Sequence, residues 1–461
     1  MQRLSGTEAA FLYLETPSTH MHVTGTLVLD PGSLDGREPL GEVRRLLEER
    51  LHLLPPFRRR LVQIPLGAAH PVWIEDPDFD LDAHLERWEL PAPGSRAELE
   101  ELVGELAGRP LDRSRPLWHM DIIEGLEHGR IAAVARIHHA AIDGVSGAEL
   151  MASLFDLTPE IAPVPPPDEP WVPDPVPTDA SLLAGAVGEG ARSPLRLMSA
   201  LSGSLRSFVS RAGRTSTAPR VRPFSAPRTP FTGAVTPRRS VAFGRSSLAD
   251  VRAVGSAVGA TVNDVLLGAT TSSLRSYLAH HGALPDAPLV AAMPISARGE
   301  GEVELGVQVS VMLVPLPVHL DDPLARLREI NGHTSALKAD RAARGGDSLA
   351  DWAELTPPAL LSGVARFYSG ARLADVHPPI HNLVVSSIPG PPVPLFIAGA
   401  TLEATYPMGP LIEGSGLNVT VLTNLGNVDV GIIACPDLVP EVAELARGFE
   451  AGVAELCEAV A

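Results

Sequence analysis

Two adjacent histidines, His138 and His139, are followed by Asp143 and Gly144, with Ala140-Ala141-Ile142 between. An imidazole that is neutral near pH 7 can take a proton from a substrate, and a nearby carboxylate can fix its tautomer or brace the loop that carries it. The flanking residues say where the group stands. Upstream, Ile131-Ala132-Ala133-Val134-Ala135-Arg136-Ile137 has the apolar density of a buried strand. Downstream, Ser146 and Glu149 have the spacing of a capping box and lead into Leu150 and Met151. The histidines therefore fall where a strand ends and a loop turns into a helix, a place where side chains meet ligands.

Three chemistries compete for the segment. Histidine and aspartate both bind metals, yet adjacent histidines on an extended chain point to opposite sides, and Cys435 and Cys457 are remote in sequence. No metal is expected. Two histidines merely satisfied within a core are a second reading, since histidine is intermediate in its burial preference. A general base is the reading the residues favour. His139 continues the parity of Ile131, Ala133, Ala135 and Ile137 and is the candidate base; His138 should point elsewhere and support it.

The elements that must position this group fall into two blocks. Residues 1–157 are rich in strand and helix signals and hold the histidines. Residues 158–239 form a linker whose first part carries Pro159, Pro163, Pro165, Pro166, Pro167 and further prolines to Pro177, which forbids a helix or central strand. Residues 240–461 form the second block. Helices are expected over residues 247–258, 263–280 and 439–460, and strands over 289–293 and 307–314. Residues 417–422 and 428–434 flank Leu425-Gly426-Asn427 as a hairpin. Periodicity alone gives a two-domain α/β protein, and 461 residues are enough for two cores.

Composition narrows the setting. A formal net charge of −18 excludes non-specific nucleic-acid binding. Hydrophobic residues make up 45% of the chain and mean hydropathy is +0.12, but no apolar run approaches the roughly 18 residues a membrane span needs. The amino terminus carries Glu8 and Glu15 and no apolar core between basic residues, so a signal peptide is not expected. Two cysteines exclude a disulfide framework. A cytoplasmic location follows as the expectation. Between Glu189 and Asp250 there is no acidic residue while arginines recur from Arg192 to Arg245. Within that stretch residues 194–209 have the pattern of a basic amphipathic helix suited to peripheral contact with an inner membrane or lipid droplet. A solvated linker, or a face docked on the acidic remainder, is the other reading.

The segment His138-His139-Ala140-Ala141-Ile142-Asp143-Gly144 resembles the HHxxxDG signature of the bacterial wax ester synthase/acyl-CoA:diacylglycerol acyltransferase family, within the chloramphenicol acetyltransferase-like superfamily. Condensation domains share that motif, and other segments narrow the likeness. Pro116-Leu117-Trp118 is similar to the family's PLW block and Asn263-Asp264 to its ND block. Further likenesses are Leu4-Ser5-Gly6-Thr7-Glu8-Ala9-Ala10-Phe11-Leu12, Met21-His22-Val23, Met293-Pro294-Ile295-Ser296-Ala297-Arg298 and Ser387-Ile388-Pro389-Gly390-Pro391. Two segments depart from the family. Gly306-Val307-Gln308 stands for Gly-Asn-Arg, and Ser386-Ser387-Ile388-Pro389-Gly390-Pro391 for Ser-Asn-Val-Pro-Gly-Pro. Each loses an asparagine amide, which bears on substrate preference or turnover before it bears on reaction type.

The resemblance implies an α/β fold of two chloramphenicol acetyltransferase-like lobes with an acyl-CoA and acceptor channel between them. It implies transfer of the acyl group of a long-chain acyl-CoA, a co-substrate rather than a cofactor, to diacylglycerol or a long-chain alcohol. His139 is then the catalytic base, and Asp143 a catalytic-site carboxylate that braces the loop, with Arg298 as its partner. Gly144 allows a close backbone approach, Asn263 and Asp264 are site candidates that also suit a helix cap, and Ser386 or Ser387 is an oxyanion or substrate contact. Trp118 is expected to pack. The alternatives are a condensation-like acyltransferase that takes its thioester from a carrier protein, and a low-turnover lipid-binding relative.

Overall fold

A computed structural model describes residues 1–142, 147–167, 171–190, 224–296, 309–344 and 358–461. Elements are numbered along the chain. The first half opens with β1 (Gln2–Arg3), α1 (Gly6–Leu14), β2 (His22–Asp30) and α2 (Pro39–Arg50). It continues with β3 (Arg59–Val62), β4 (Val72–Glu75), β5 (Leu85–Glu89) and α3 (Arg96–Ala107). Then come β6 (Trp118–Glu124), β7 (Ile131–His138), α4 (His139–Ile142), α5 (Gly147–Leu154) and α6 (Asp179–Gly190). The second half begins with β8 (Ser240–Ser247), α7 (Leu248–Val258) and α8 (Val262–His280). Next are β9 (Leu289–Ser296), β10 (Val309–Leu316), α9 (Pro323–Arg344), α10 (Pro358–Gly370) and β11 (Leu383–Ile388). The chain closes with β12 (Phe396–Ile397), β13 (Ala400–Met408), β14 (Leu417–Asn424), β15 (Asn427–Ala434) and α11 (Val442–Val460).

Two mixed sheets dominate the described residues. The first has the order β12-β13-β2-β7-β6-β5 and the second β10-β9-β11-β14-β15-β8, while β1, β4 and β3 make a small antiparallel sheet. The run Ile131–His138 sits inside the first sheet with a partner on each edge, β2 and β6. Both its faces are covered, which is why it is apolar at successive positions rather than at alternate ones. Ile131, Ala133 and Ile137 pack with Leu27, Leu29, Trp118 and Met120. Ala132 and Val134 pack with Leu99, Val103 and Leu106 of α3 and with Val241 and Phe243 of β8. Because β8 belongs to the second sheet, that core is shared between the lobes.

Sheet membership does not follow chain order. Residues 400–408, deep in the second half, cross back and lie along β2, with Thr401 opposite Asp30 and Met408 opposite Thr24 and a register shift between Leu402 and Ala404. The crossing satisfies the open edge of β2, which otherwise leaves unpaired N–H and C=O groups. The two sheets then come close: a Cβ on Gly431 of β15 would stand 2.2 Å from the Pro407 carbonyl oxygen of β13, so only glycine fits there. Asp429 of β15, fully buried, accepts the Thr405 backbone N–H at 2.9 Å and Arg245 Nε at 2.6 Å, a polar tie across the same contact.

The expected elements appear with small shifts. α7 starts on Ser247, whose hydroxyl caps Asp250 N, and ends on Gly259 at φ +70°. α8 starts on Thr261 with a full capping box closed by Asp264. The hairpin turn is tighter than expected: Leu425 (φ +54°) and Gly426 make it, and Asn427 is already paired with Asn424. α11 starts at Val442 rather than 439. The described part of the proline-rich stretch carries no helix or strand before α6. There Trp171 Nε1 donates to Glu75 at 2.9 Å and Asp174 pairs with the chain's amino terminus at 2.9 Å, so the connector is laid against the small sheet. No helix of the described residues is long and apolar enough to cross a membrane. The expected basic helix over residues 194–209 lies outside the described residues, as do Asp143, Gly144, Arg298 and Gly306-Val307-Gln308.

Candidate active site

The backbone at the histidines is pinned from both sides. His138 N donates to Leu117 O at 2.9 Å on the β6 side, and His139 N donates to Met21 O at 2.8 Å on the β2 side. β7 ends at His138, and His139 is the first residue of α4. The strand hands over to a helix between the two residues, so the two rings enter different surroundings.

His139 is half-buried and lies flat on the Phe11 ring of α1, centroids 4.5 Å apart and planes 12° apart. No described side chain hydrogen-bonds to its ring. Burial, and then the neighbouring His138, push its pKa down to about 4, so the ring is neutral and able to accept a proton throughout the physiological range. His138 is fully enclosed. Its Nδ1 accepts the Ala140 N–H at 3.1 Å, which in the neutral ring leaves the proton on Nε2. That Nε2 faces the Glu15 carboxylate at 3.6 Å, an ion-pair distance too long for a hydrogen bond. Burial opposes ionisation of Glu15, but His138 and Arg113 outweigh it and hold the carboxyl at about 2. Arg113 Nε donates to Glu15 at 2.9 Å, and its Nη2 reaches Leu12 O at 3.0 Å.

Two openings lie near the pair, and neither His138 nor His139 is among the residues that line them. A cavity of about 380 Å³ lies on the Glu15 side, lined by Glu15, Thr16, His20, Gly108, Arg113 and Pro237. Pro237, at the end of the linker just ahead of β8, reaches its rim, and close by Arg239 Nη2 donates to Ser18 O at 2.6 Å. On the α4 side Ala141 and Ile142 line a narrow apolar crevice with Leu54, Pro56, Phe57 and Leu150. Among the described residues two clusters bring His and carboxylate groups within reach of a shared ion, His280/His281/Glu441/Glu444 and Glu86/His119/Asp121, and neither includes the histidine pair.

The other sequence candidates are placed as follows. Asp264 is buried and wholly occupied: Oδ2 accepts from Thr261 N and Oγ1 at 2.9 and 2.7 Å, and Oδ1 accepts from Thr334 Oγ1 at 2.6 Å. It closes the start of α8 and ties it to α9, and the half-buried Asn263 follows the same cap. Ser386 and Ser387 stand towards the end of β11 in the second sheet, half-buried and exposed, with no hydrogen bond to the histidines. Trp118 packs, as expected: it stacks between Phe57 and His84, and its Nε1 donates to Phe57 O at 2.8 Å. Sequence reasoning missed Phe11, Glu15 and Arg113 as neighbours of the histidines. The available signal was position: Phe11 lies within the opening segment Leu4–Leu12 that resembled a family block, Glu15 three residues beyond it, and Arg113 three residues ahead of Pro116-Leu117-Trp118.

This is a neutral imidazole at a strand-to-helix junction, backed by an aromatic ring, with a narrow apolar crevice and a wider cavity of mixed lining nearby. Comparison with known proteins identifies the family. The model of the wax ester synthase/diacylglycerol acyltransferase catalytic domain matches residues 4–266, and that of the WS/DGAT C-terminal domain matches residues 305–456. The chain belongs to this family. A Mycobacterium tuberculosis (strain CDC 1551 / Oshkosh) protein named as a diacylglycerol O-acyltransferase is 37% identical, over 99% of this chain and 90% of its own. Another, from M. tuberculosis (strain ATCC 25618 / H37Rv), is 35% identical over 99% and 96%. Among solved structures the wax ester synthase/diacylglycerol acyltransferase from Marinobacter aquaeolei VT8 is similar, with a TM-score of 0.71 and 26% identity over 99% of this chain and 98% of that one. The first condensation domain of the calcium-dependent antibiotic synthetase shares the fold, with a TM-score of 0.52 at 15% identity over 100% and 96% of the two chains. The two-lobed α/β architecture and the assignment as an O-acyltransferase of the wax ester synthase/diacylglycerol acyltransferase type stand on these likenesses.

The depressed histidines make a stability prediction. His22, opposite His138 in the β2–β7 ladder, is buried with Nε2 on Ala107 O at 3.1 Å, and burial followed by nearby His20 and Arg136 lowers it to about 3. Unfolded, such rings titrate near 6.5. Between that value and about 4 for His139 and about 3 for His22, the unfolded chain binds protons that the folded chain refuses. Stability from these groups is therefore full above about pH 6.5 and falls as the pH drops towards 4 and then 3. Thermal melts of the wild type should show a falling midpoint across this window, and the fall should shrink in His22→Gln.

Proposed function

We propose that this enzyme transfers the acyl group of a long-chain acyl-CoA to the hydroxyl of diacylglycerol, giving triacylglycerol, and also takes long-chain alcohols to wax esters. The observation that carries the reading is the neutral, half-buried His139 ring on Phe11 at the head of α4. In the proposed step a ring nitrogen of His139 takes the proton of the acceptor hydroxyl as its oxygen attacks the thioester carbonyl. The carbon–oxygen bond forms, the tetrahedral adduct expels CoA as thiolate, and the imidazolium returns its proton to that sulfur. No acyl-enzyme is formed and no metal or cofactor takes part. A channel between the lobes would let donor and acceptor arrive from opposite sides. Asp143 and Arg298 would brace the loop after α4, with Ser386 or Ser387 in reach of the developing oxyanion. Because the acceptor is itself a lipid, the protein would work against a membrane or droplet surface from the cytoplasmic side.

The test is CoA release by the purified protein from palmitoyl-CoA, first with diacylglycerol and then with hexadecanol. Acceptor-dependent release with formation of the matching ester is the expected result. Folded protein that releases no CoA with either acceptor would overturn the proposal and favour a carrier-protein thioester donor or a lipid-binding role.

A further inference from the structure

α1 reaches both histidines. Phe11 lies under the His139 ring, and Glu15, four residues on at the helix end, faces His138 at 3.6 Å. We propose that Glu15 is a positioning residue for the base, acting through His138: its carboxylate, held by Arg113, fixes the His138 tautomer and with it the turn on which His139 stands. This rests on the reading of His139 as the base.

The argument follows the protons. The Ala140 N–H belongs to the first turn of α4 and has His138 Nδ1 as its acceptor at 3.1 Å. Nδ1 can accept only while its proton is on Nε2. His138 Nε2 is buried and has no hydrogen-bond partner; the anion that faces it is Glu15. A carboxylate there favours Nε2–H, because the opposite tautomer aims a lone pair at a negative charge. Without that charge the proton is free to move to Nδ1, where it meets the Ala140 N–H head on, donor against donor. The first turn of α4 must then shift, and His139 is its first residue. Arg113 makes the carboxylate permanent and, through Leu12 O, ties it to the helix that carries Phe11. The other titratable groups here are His20, which lines the same cavity, and His22, which pairs with His138 across the ladder; burial lowers both, so neither competes as a cation. The cavity of about 380 Å³ against Glu15 admits small solutes, and the buried His20 Nε2 on its wall has no hydrogen-bond partner.

That cavity supplies the decisive experiment. In Glu15→Gln, which keeps shape and loses charge, and in Glu15→Ala, kcat should fall roughly 10- to 100-fold through misplacement of the base. KM for palmitoyl-CoA and for the acceptor should stay within about twofold, because ground-state binding is untouched. Formate should restore part of the kcat of Glu15→Ala and none of that of His139→Ala. In a His138→Asn background the Glu15→Ala substitution should cost little more, since the two act in series. Long-range ¹H–¹⁵N NMR should find His138 as the Nε2–H tautomer in the wild type and a mixture in Glu15→Gln. Wild-type kcat in both Glu15 variants, or a loss that formate leaves unchanged and that adds to the His138→Asn loss, would overturn the proposal. Should the wild type itself turn over neither acceptor, the acyltransferase reading fails and the His138 tautomer alone decides the role of Glu15.

Discussion

His139→Ala is expected to lower kcat for acceptor-dependent CoA release by about 10²–10⁴-fold, the usual contribution of a positioned general base. The ring is neutral because burial and His138 hold its pKa at about 4, and no described side chain takes up its nitrogens, so it stands ready for a substrate proton. The loss should fall on kcat with KM little changed, since a proton transfer made only in the transition state does not hold substrate in the ground state. Folding should survive. His139 is half-buried and its main contact is the face of Phe11, whereas the backbone bond from its N–H to Met21 O is independent of the side chain. Steady-state kinetics beside a melting curve check both halves of the statement. The acid limb of kcat in the wild type should lie near 4 rather than near 6.5, because the base is lost only when the folded ring takes a proton. A His139→Ala protein with wild-type turnover, or one whose loss matches its loss of folded material, would remove the base from the mechanism.

Much of this site was legible because a buried strand and a capped helix have strong local signatures. Ile131–Ile137 is apolar at every position but one, and the histidines that follow had to stand at its end. The helices over 247–258 and 263–280 showed in their residue pattern, but the cap of the second is Thr261, with Asp264 closing the box from inside the helix, and not the Asn263-Asp264 pair. Among the strands that escaped is one whose reason for existing lies elsewhere in the fold. β13 carries Glu403 and Pro407 and is broken by a register shift at Leu402/Ala404, so nothing local marks it as a strand; it forms because β2 offers an open edge. The partners of the histidines were hidden for the same reason. Glu15 is 123 positions from His138 and Phe11 is 128 from His139, and no periodicity links residues so far apart. Asp264 shows the converse: the acid of an ND pair suggestive of a site has both its carboxylate oxygens, in the structure, taken up by its own helix cap and Thr334.

Asp156→Ala should destabilise the first lobe by about 3–5 kcal/mol, the cost of stranding one partner of a buried ion pair. Arg50 is 2% exposed and Asp156 6%, and Arg50 Nη2 donates to both carboxylate oxygens at 2.7 and 2.9 Å. The guanidinium also reaches Ser153 O and Ala162 O at 3.2 Å, and the carboxylate accepts the Ala162 N–H at 3.2 Å. The backbone of Asp156 meanwhile exchanges bonds with Phe396 at 2.8 and 2.9 Å. One residue thus joins α2, the exit of α5, the proline-rich connector and the strand returned from the second half. With alanine there, the charge on Arg50 has no anion and no route to water. A hydrophobic pair of similar volume, Arg50→Met with Asp156→Leu, should recover most of the loss, since what costs is the unpaired ion and not the absence of the pair. Denaturant melts of the three proteins supply the comparison. A double variant as unstable as Asp156→Ala would place the cost in the geometry of the joint instead of in its charge. Turnover measured well below the melting midpoint separates stability from chemistry: Asp156→Ala should retain most of its kcat there, because the joint holds the lobe together and touches neither His139 nor α1.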